Sequence, residues 1–525
     1  MNSRLARSAG LIGVATMASR VLGLVRESVL AAIFGAGMQM DAFNVAFRVP
    51  NLLRDLFAEG AMTAAFVPAF TRRLTVAGRE AAFRLGNLVL NALLVVTLVL
   101  VLLGIAVAYP ITSLIAPDFA SVPGKLELTA LLTRVMLPFL TMVAVAAGMM
   151  GMLNSLHRFF IPALSPAMFN VAAIACIVGL APVMPSVGQP AVLAVAIGAL
   201  AGGAGQVLLQ WPVLRKEGFR YRPLFDFGDP ELGHVLRLMV PATVGLAAVQ
   251  INVFVNTYLA TSQEQGAVSW LSYAFRLMYL PIGLFGVSIA TAVLPDISRH
   301  AAVDDLPALR RTVSGAIRLM LVLNVPATVG LMVLARPIVA LLLQRHAFGA
   351  ADTAATAAAL VFYAPGLLGY STVKIASPAF YSLRDSRTPV IVSVAAVLGN
   401  LAVNLALVRV MGFRGLALGT SLAAMFNAGT LLWMLDRRLG GLERRRIVVT
   451  FAKIGAATVI MGLAAAYTSF WTESLLPGER TLGRAVRVFL AIGAGIMALV
   501  ASARALRIAE FDDAYRRVFG RLFAR

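Results

Sequence analysis

Residues 88–108 read LVLNALLVVTLVLVLLGIAVA, a run of 21 residues without one charged side chain. About 20 apolar residues suffice for a helix to cross the hydrocarbon of a bilayer. Comparable runs follow at Val135–Leu156, Ile161–Val183, Val192–Leu214, Leu319–Leu334 and Val390–Val408. The 525-residue chain is 60% hydrophobic and 13% charged, with mean hydropathy +0.86. Soluble chains carry about a quarter charged residues. The runs are continuous and rich in Leu, Ala and Val, whereas strands of a membrane barrel alternate over about ten residues. The fold class is therefore an all-α polytopic membrane protein.

Fourteen spans are expected, at roughly 5–35, 41–73, 83–110, 127–155, 160–183, 190–215, 232–260, 267–298, 309–333, 352–383, 387–411, 414–438, 447–471 and 482–506. No small-residue cleavage site follows the basic Met1–Ser8 segment, so the first span is expected to be retained. The formal charge of +21 is distributed as a topology signal. With the N-terminus inside, inner loops and tails hold roughly 30 Lys and Arg, outer loops roughly 8, and spans about 7. This places both termini in the cytoplasm and removes nucleic acid from the expected partners. Anionic membrane lipids suit the inner segments Arg72–Arg84, Arg215–Arg222, Arg437–Lys453 and Arg504–Arg525.

An internal repeat runs through the chain. Pro68, Pro138, Ser155-Leu156 and Pro162 recur, at one constant offset, as Pro295, Pro365, Ser382-Leu383 and Pro389. Ala46-Phe47-Arg48 recurs at nearly the same offset as Ala274-Phe275-Arg276, and Trp211 and Arg215 recur at a slightly shorter one as Trp433 and Arg437. That period equals six spans, an even number, so the two copies share one orientation. The expected domains are an N-lobe of spans 1–6 (1–222), a C-lobe of spans 7–12 (223–440), and spans 13–14 with a cytoplasmic tail (441–525). Transporters built from parallel repeats hold substrate between the lobes. No loop is long enough for a soluble catalytic domain.

Charges inside the apolar spans carry the functional signal, because each costs a few kcal/mol at that depth. Arg20, Arg26, Glu27, Asp41, Arg48, Arg54, Asp55 and Glu59 all fall in the first sixty residues. On a helix of 100° per residue, Asp41, Arg48, Asp55 and Glu59 share one stripe, with Arg54 roughly 140° away. Pro50 is expected to kink or break that helix. Arg20 and Glu27 share a face of span 1, with Arg26 off it. One reading makes these charges structural ion pairs, or side chains reaching for the interface. The other notes a cationic excess of Arg20, Arg26, Arg48 and Arg54, joined by Arg276, which suits an anionic substrate because the arginine fork binds phosphate bidentately.

Other polar residues in spans are Lys374, Asn256, Asn400 and Asn404. They are candidates for coupling transport to an ion, although asparagines in spans also hydrogen-bond between helices. Gly35 and Gly37 are expected to turn the chain between spans 1 and 2. The lone Cys176 and the scattered His157, His234, His300 and His346 have no metal-ligand spacing, so no metal and no cofactor are expected.

The segment Ser19-Arg20-Val21-Leu22-Gly23-Leu24-Val25-Arg26-Glu27 resembles the first-helix signature of the MurJ/MviN family, the bacterial lipid II flippases. The block Gly35-Ala36-Gly37, Asp41-Ala42-Phe43, Ala46 to Arg54, Phe57 to Ala61 and Ala65-Phe66-Val67-Pro68 is similar to the family's second helix. Val268-Ser269-Trp270 and Tyr273 to Met278 extend the match into span 8. The family belongs to the multidrug/oligosaccharidyl-lipid/polysaccharide exporter superfamily. The resemblance implies two six-helix lobes, with helices 13 and 14 forming a groove for a lipid tail. It implies a substrate, lipid II, which is undecaprenyl pyrophosphate bearing a disaccharide-pentapeptide, moved from the inner to the outer leaflet of the cytoplasmic membrane.

The family's cavity arginines fall on Arg20, Arg26 and Arg276, and Arg54 and Asp41 also match functional positions. Glu27 stands where Asp is frequent, Arg48 where Lys is frequent, and Phe275 where Asp is frequent. The last change either frees Arg276 for pyrophosphate or alters its pairing. The expected mechanism is alternating access. Arg20, Arg26, Arg54 and Arg276 bind substrate, and Glu27, Asp41, Arg48, Asp55 and Glu59 gate or line the cavity. Coupling comes from the membrane potential, worth about 2.3 kcal/mol per charge per 100 mV, or from a monovalent cation. A monomer is expected, with the cell-wall synthesis machinery as a candidate partner. Within the same fold, the alternatives are a cation-coupled drug exporter, which should carry unpaired acids, or a flippase for another polyprenyl-linked saccharide. From another class comes a membrane-embedded polyprenyl-phosphate glycosyltransferase, for which Asp304-Asp305 is the nearest acidic pair.

Overall fold

A computed structural model of the chain describes residues 3–55, 62–475 and 481–511. Every regular element among them is helical. Ten helical segments are long and apolar enough to cross a membrane, or eleven when residues 350–363 and 366–382, bent by 43° at a short break, form one span. The packing divides the chain into two compact units, residues 1–269 with 345–348, and residues 270–344 with 349–525.

The first unit contains α1 (Ser3–Phe34), α2 (Met38–Arg54), α3 (Met62–Ala106), α4 (Ala108–Ile115), α5 (Lys125–Met136), α6 (Phe139–Ser155), α7 (Phe160–Leu180), α8 (Leu193–Lys216) and α9 (Pro230–Thr261). Gly35 takes φ +63° in the turn between α1 and α2, as the sequence predicts, and a Cβ there would lie 2.6 Å from the Ala347 carbonyl oxygen. Pro50 does not break α2, which continues to Arg54, with Asp55 in a wider π-type turn. The second half of the expected span 2 and the whole of span 3 form the single element α3. It bends at Gly78 (φ 82°, ψ −177°), a conformation open to glycine.

Phenylalanines organise this unit's core. Phe43, Phe47, Phe139 and Phe169 form a chain of ring contacts with centroids 5.6–5.8 Å apart. The α7–α8 crossing is close because Gly202 faces Phe169, whose Cδ2 lies 2.4 Å from where a Cβ would be. Two asparagines buried in the apolar α3 fasten the segment that follows α8. Asn87 Nδ2 donates to the Arg220 carbonyl (3.0 Å), and Asn91 Nδ2 donates to the Arg222 carbonyl (2.8 Å). The Arg222 amide donates to Asn87 Oδ1 (2.9 Å), and the Tyr221 hydroxyl donates to Asn91 Oδ1 (2.6 Å). Extended backbone is thus satisfied where no helix supplies partners.

The second unit takes in most of α10 (Ala267–Pro281), then α11 (Val287–Ala302), α12 (Leu306–Val333), α13 (Ala335–Leu342), α14 (Ala350–Tyr363), α15 (Gly366–Ser382), α16 (Arg387–Met411), α17 (Phe413–Arg438), α18 (Arg444–Leu475) and α19 (Thr481–Ala505). A π turn at Ile282–Gly286, just after Pro281, joins α10 to α11. Its core gathers Ile317, Met320, Ile375, Phe380, Leu431 and Leu435. The pair α18–α19 packs on α12 through Val322, Ile454, Ala457 and Ala503. Arg318 ties these helices further, pairing with Glu510 at 2.6 Å and Glu443 at 3.8 Å.

The repeat recurs in hydrogen-bond geometry. Thr71 donates to Ser155 at 3.0 Å, and at the matching positions of the second copy Ser298 and Ser382 bond at 3.2 Å. Pro138 and Pro365 both precede the first turn of a helix, α6 and α15. His157 and Arg384 both take a left-handed backbone, at φ 61° and 60°.

Gly202→Ala should lower stability by about 1–3 kcal/mol, because the methyl overlaps a ring in a close-packed crossing. Thermal unfolding of the purified protein tests this, and an unchanged melting temperature refutes it. Asp385, between α15 and α16, accepts from the Thr388 amide (3.0 Å) and hydroxyl (2.8 Å) and pairs with Arg438. The Thr388 bonds lead in holding its carboxyl below the usual range. Its stabilisation is present above the unfolded value near 3.9 and is lost as pH falls through the lower folded value. Asp385→Asn should therefore flatten the loss of stability below about pH 4, read from melts across pH.

Candidate functional site

On α1, Arg26 Nη2 donates to Glu27 Oε1 at 2.7 Å, and its guanidinium stacks over Phe169 with 5.4 Å to the ring centroid. Helix α1 packs on α7, so the sequence's off-face arginine is the one that meets a neighbour. The Arg26 Nε donor has no hydrogen-bond partner among the described residues. Arg20 lies two turns earlier, half-buried, with no ion pair among the described residues. The Asn170 side chain on α7 donates to the Ser19 carbonyl at 3.2 Å and fixes the local approach of α1.

Asp41 is 1% exposed and filled on both oxygens. Lys125 Nζ donates to Oδ2 at 3.1 Å and the Gly266 amide at 2.8 Å. The Ser269 amide and hydroxyl donate to Oδ1 at 3.1 and 2.7 Å. The two amides belong to the start of α10, where free N–H groups and the helix dipole favour an anion. Ser269 Oγ also accepts from Asn44 at 3.2 Å. Lys125 is 3% exposed and sits 4.0 Å from the centroid of the Phe119 ring. The span expected from the sequence begins at 127 and so leaves Lys125 out. The signal that could have found it is its place at the edge of an apolar run.

Further along α2, Arg48 is half-buried. Arg54 pairs with its neighbour Asp55 at 2.8 Å, and Gln250 on α9 donates to Asp55 at 3.1 Å. Asp41 and Asp55 thus share a stripe of α2 but not a partner. Glu59 lies outside the described residues. Asn256 donates to Asn252 along α9 at 3.3 Å.

In the second unit Arg276 is half-buried on α10, and Lys374 is exposed, the ninth of the seventeen residues of α15. Phe275 is packed by three tyrosines, Tyr279, Tyr363 and Tyr370. Asn404 Nδ2 donates to Asn400 Oδ1 at 3.0 Å, a bond along α16. Asp304 takes a left-handed turn, and Asp305 caps α12 by accepting from the Ala308 amide at 2.9 Å. That acidic pair is therefore accounted for as a helix start. Among the described residues no group of three His, Cys, Asp or Glu is placed to hold a metal.

A chain whose described residues are all-helical in their regular elements and hold ten or eleven apolar spans, with recurrent geometry in two units and cations at mid-helix, belongs to the class of polytopic membrane transporters. A multidrug-resistance transporter of the MATE family and MOP superfamily, in an inward-facing conformation, has the same fold, with TM-score 0.66 and 17% identity over 83% of this chain and 99% of that one. A structure of "Lipid II flippase MurJ, inward closed conformation" is similar with TM-score 0.76 and 25% identity, over 94% of this chain and 99% of that one. The family described as "Lipid II flippase MurJ" matches residues 30–483. The probable lipid II flippase MurJ of Vibrio cholerae serotype O1 is 35% identical over 82% of this chain and 83% of its own length. The lipid II flippase MurJ of Burkholderia cenocepacia is 34% identical, over 85% and 87%. The chain belongs to the MurJ family.

Removing one partner of the buried Asp41–Lys125 pair leaves the other uncompensated. Lys125→Met should cost about 3–5 kcal/mol, and adding Asp41→Asn should return part of that loss. Melting temperatures of the two single variants and the double variant test the pairing. Losses that simply add would show that the two residues act independently.

Proposed function

We infer that this chain is a lipid II flippase, moving the lipid-linked peptidoglycan precursor from the inner to the outer leaflet of the bacterial cytoplasmic membrane. The observation that carries this is the family match over residues 30–483, together with arginines inside the spans. A pyrophosphate is a doubly linked anion that a guanidinium fork matches in shape and charge. Arg20 and Arg26 offer donors in the first unit, and Arg276 is the corresponding cation of the second. In this reading the three bind the same pyrophosphate, with Arg54 as a further contact.

Glu27, Asp41, Arg48, Asp55 and Glu59 gate or orient the cavity. The lobes 1–222 and 223–440 alternate access, and the segment 441–525 carries the undecaprenyl tail along α18 and α19. Eleven spans together with α1, α2 and α9, which occupy the three remaining expected positions, amount to fourteen, with both termini in the cytoplasm. No bond is made or broken during the transfer, so the protein is a transporter needing no cofactor. The membrane potential or a monovalent cation drives it, with Lys374, Asn256, Asn400 and Asn404 as coupling candidates. The protein acts as a monomer, beside the enzymes that polymerise the exported precursor.

Cells depleted of the protein and complemented with Arg20→Ala, Arg26→Ala or Arg276→Ala should show outer-leaflet lipid II lowered by at least about tenfold, the loss expected when a charge-assisted hydrogen bond is removed. Full transport by all three variants would sink the clamp.

A further inference from the structure

The second unit holds an aromatic cluster that the arginine clamp does not use. Phe275 and Tyr279, one turn apart on α10, stack with centroids 5.9 Å apart and planes 29° apart. Tyr363 and Tyr370 meet Phe275 edge-on, at 5.5 Å and 74° and at 6.2 Å and 85°. Phe275 is thereby fixed in orientation, and Tyr279, fixed against it, remains 44% exposed. A large flat side chain is held still with one surface open.

Two cations lie close to this cluster along the same helices. Arg276 adjoins Phe275 in sequence, and Lys374 follows Tyr370 by four residues on α15, within 40° on the helix. Lys374 is exposed at the middle of an apolar span. An exposed ammonium at that depth is too costly against hydrocarbon, so this wall of the unit faces water or a polar ligand. The open face of Tyr279 thus stands on elements that also carry hydroxyls and cations, a setting that does not suit a lipid tail.

We propose that this cluster is the sugar seat of the transported headgroup. The open face of Tyr279 stacks against the apolar face of an amino-sugar pyranose ring, and Arg276 and Lys374 meet its polar substituents and the adjoining phosphate. A pyranose has axial C–H groups on one face and hydroxyls at its rim. A rigid tyrosine ring edged by donors complements both, and ligand sites combine aromatic walls with a few polar groups in this way. Phe275 is the backing of the platform. The proposal rests on the lipid II reading and extends it to recognition of the saccharide.

The test measures binding of two ligands to the full-length protein in nanodiscs, lipid II and undecaprenyl pyrophosphate without sugar. Tyr279→Ala should weaken lipid II binding about tenfold and leave undecaprenyl pyrophosphate binding unchanged. Tyr279→Trp, which keeps a flat ring, should hold lipid II affinity within about twofold. Equal losses for both ligands, or no loss for either, would overturn the sugar seat. Failure of the unaltered chain to bind lipid II would overturn the substrate assignment beneath it.

Discussion

A charge removed from water into an apolar layer must be met by an opposite charge, by dipoles or by a ligand. Asp41 shows how fully this chain obeys that rule. Its carboxylate is closed by an ammonium, two backbone amides and a hydroxyl, all within 3.1 Å. These groups come from α5, from the start of α10 and from the residue before it, so one buried acid fixes three parts of the first unit together with α2. The arrangement stabilises through satisfaction more than through attraction, because a buried pair returns little net energy once its desolvation is counted.

The repeat shows the same backbone put to different chemical use. The bonds of Thr71 to Ser155 and of Ser298 to Ser382 are one contact made twice, once in each copy. Lys125 and Asp352 are related by the same offset, yet they differ in sign. Lys125 donates to Asp41, whereas Asp352 accepts from Trp270 Nε1 at 2.9 Å and from the Gly349 amide at 3.3 Å. Both residues sit at the beginning of a helix. The acid suits the positive end of α14, and the lysine at the matching place in α5 is offset by its buried partner. The packing contact thus follows the repeat, and this one charge departs from it.

The spans were legible because apolar length is a local property of sequence, and α5 to α19 fall close to the expected segments. The charged positions were legible for the same reason. Their partners were not. Lys125 and Asp41, like Arg26 and Phe169, stand on helices far apart in the chain, and no periodicity within one helix reports on such pairs. On α2 and just past its end, Asp41 and Asp55 turn to different neighbours, which a stripe drawn from one helix cannot report.

Pairing sharpens the meaning of the arginines that remain. In the first unit Arg54 is answered by Asp55 and Lys125 by Asp41. Arg26 is answered by Glu27 on one nitrogen and by the Phe169 ring on its face, which holds the group in place, and its buried Nε has no hydrogen-bond partner among the described residues. Arg20 has no acid at all among the described residues. An arginine fully paired with carboxylate has its fork already occupied, and an anion must displace a good partner to bind it. One held by a single acid and a ring keeps its orientation, and in the flippase reading that order is present before the ligand arrives. In the flippase reading, α1 therefore carries two span arginines of the first unit with little carboxylate pairing, Arg20 with none among the described residues and Arg26 with Glu27.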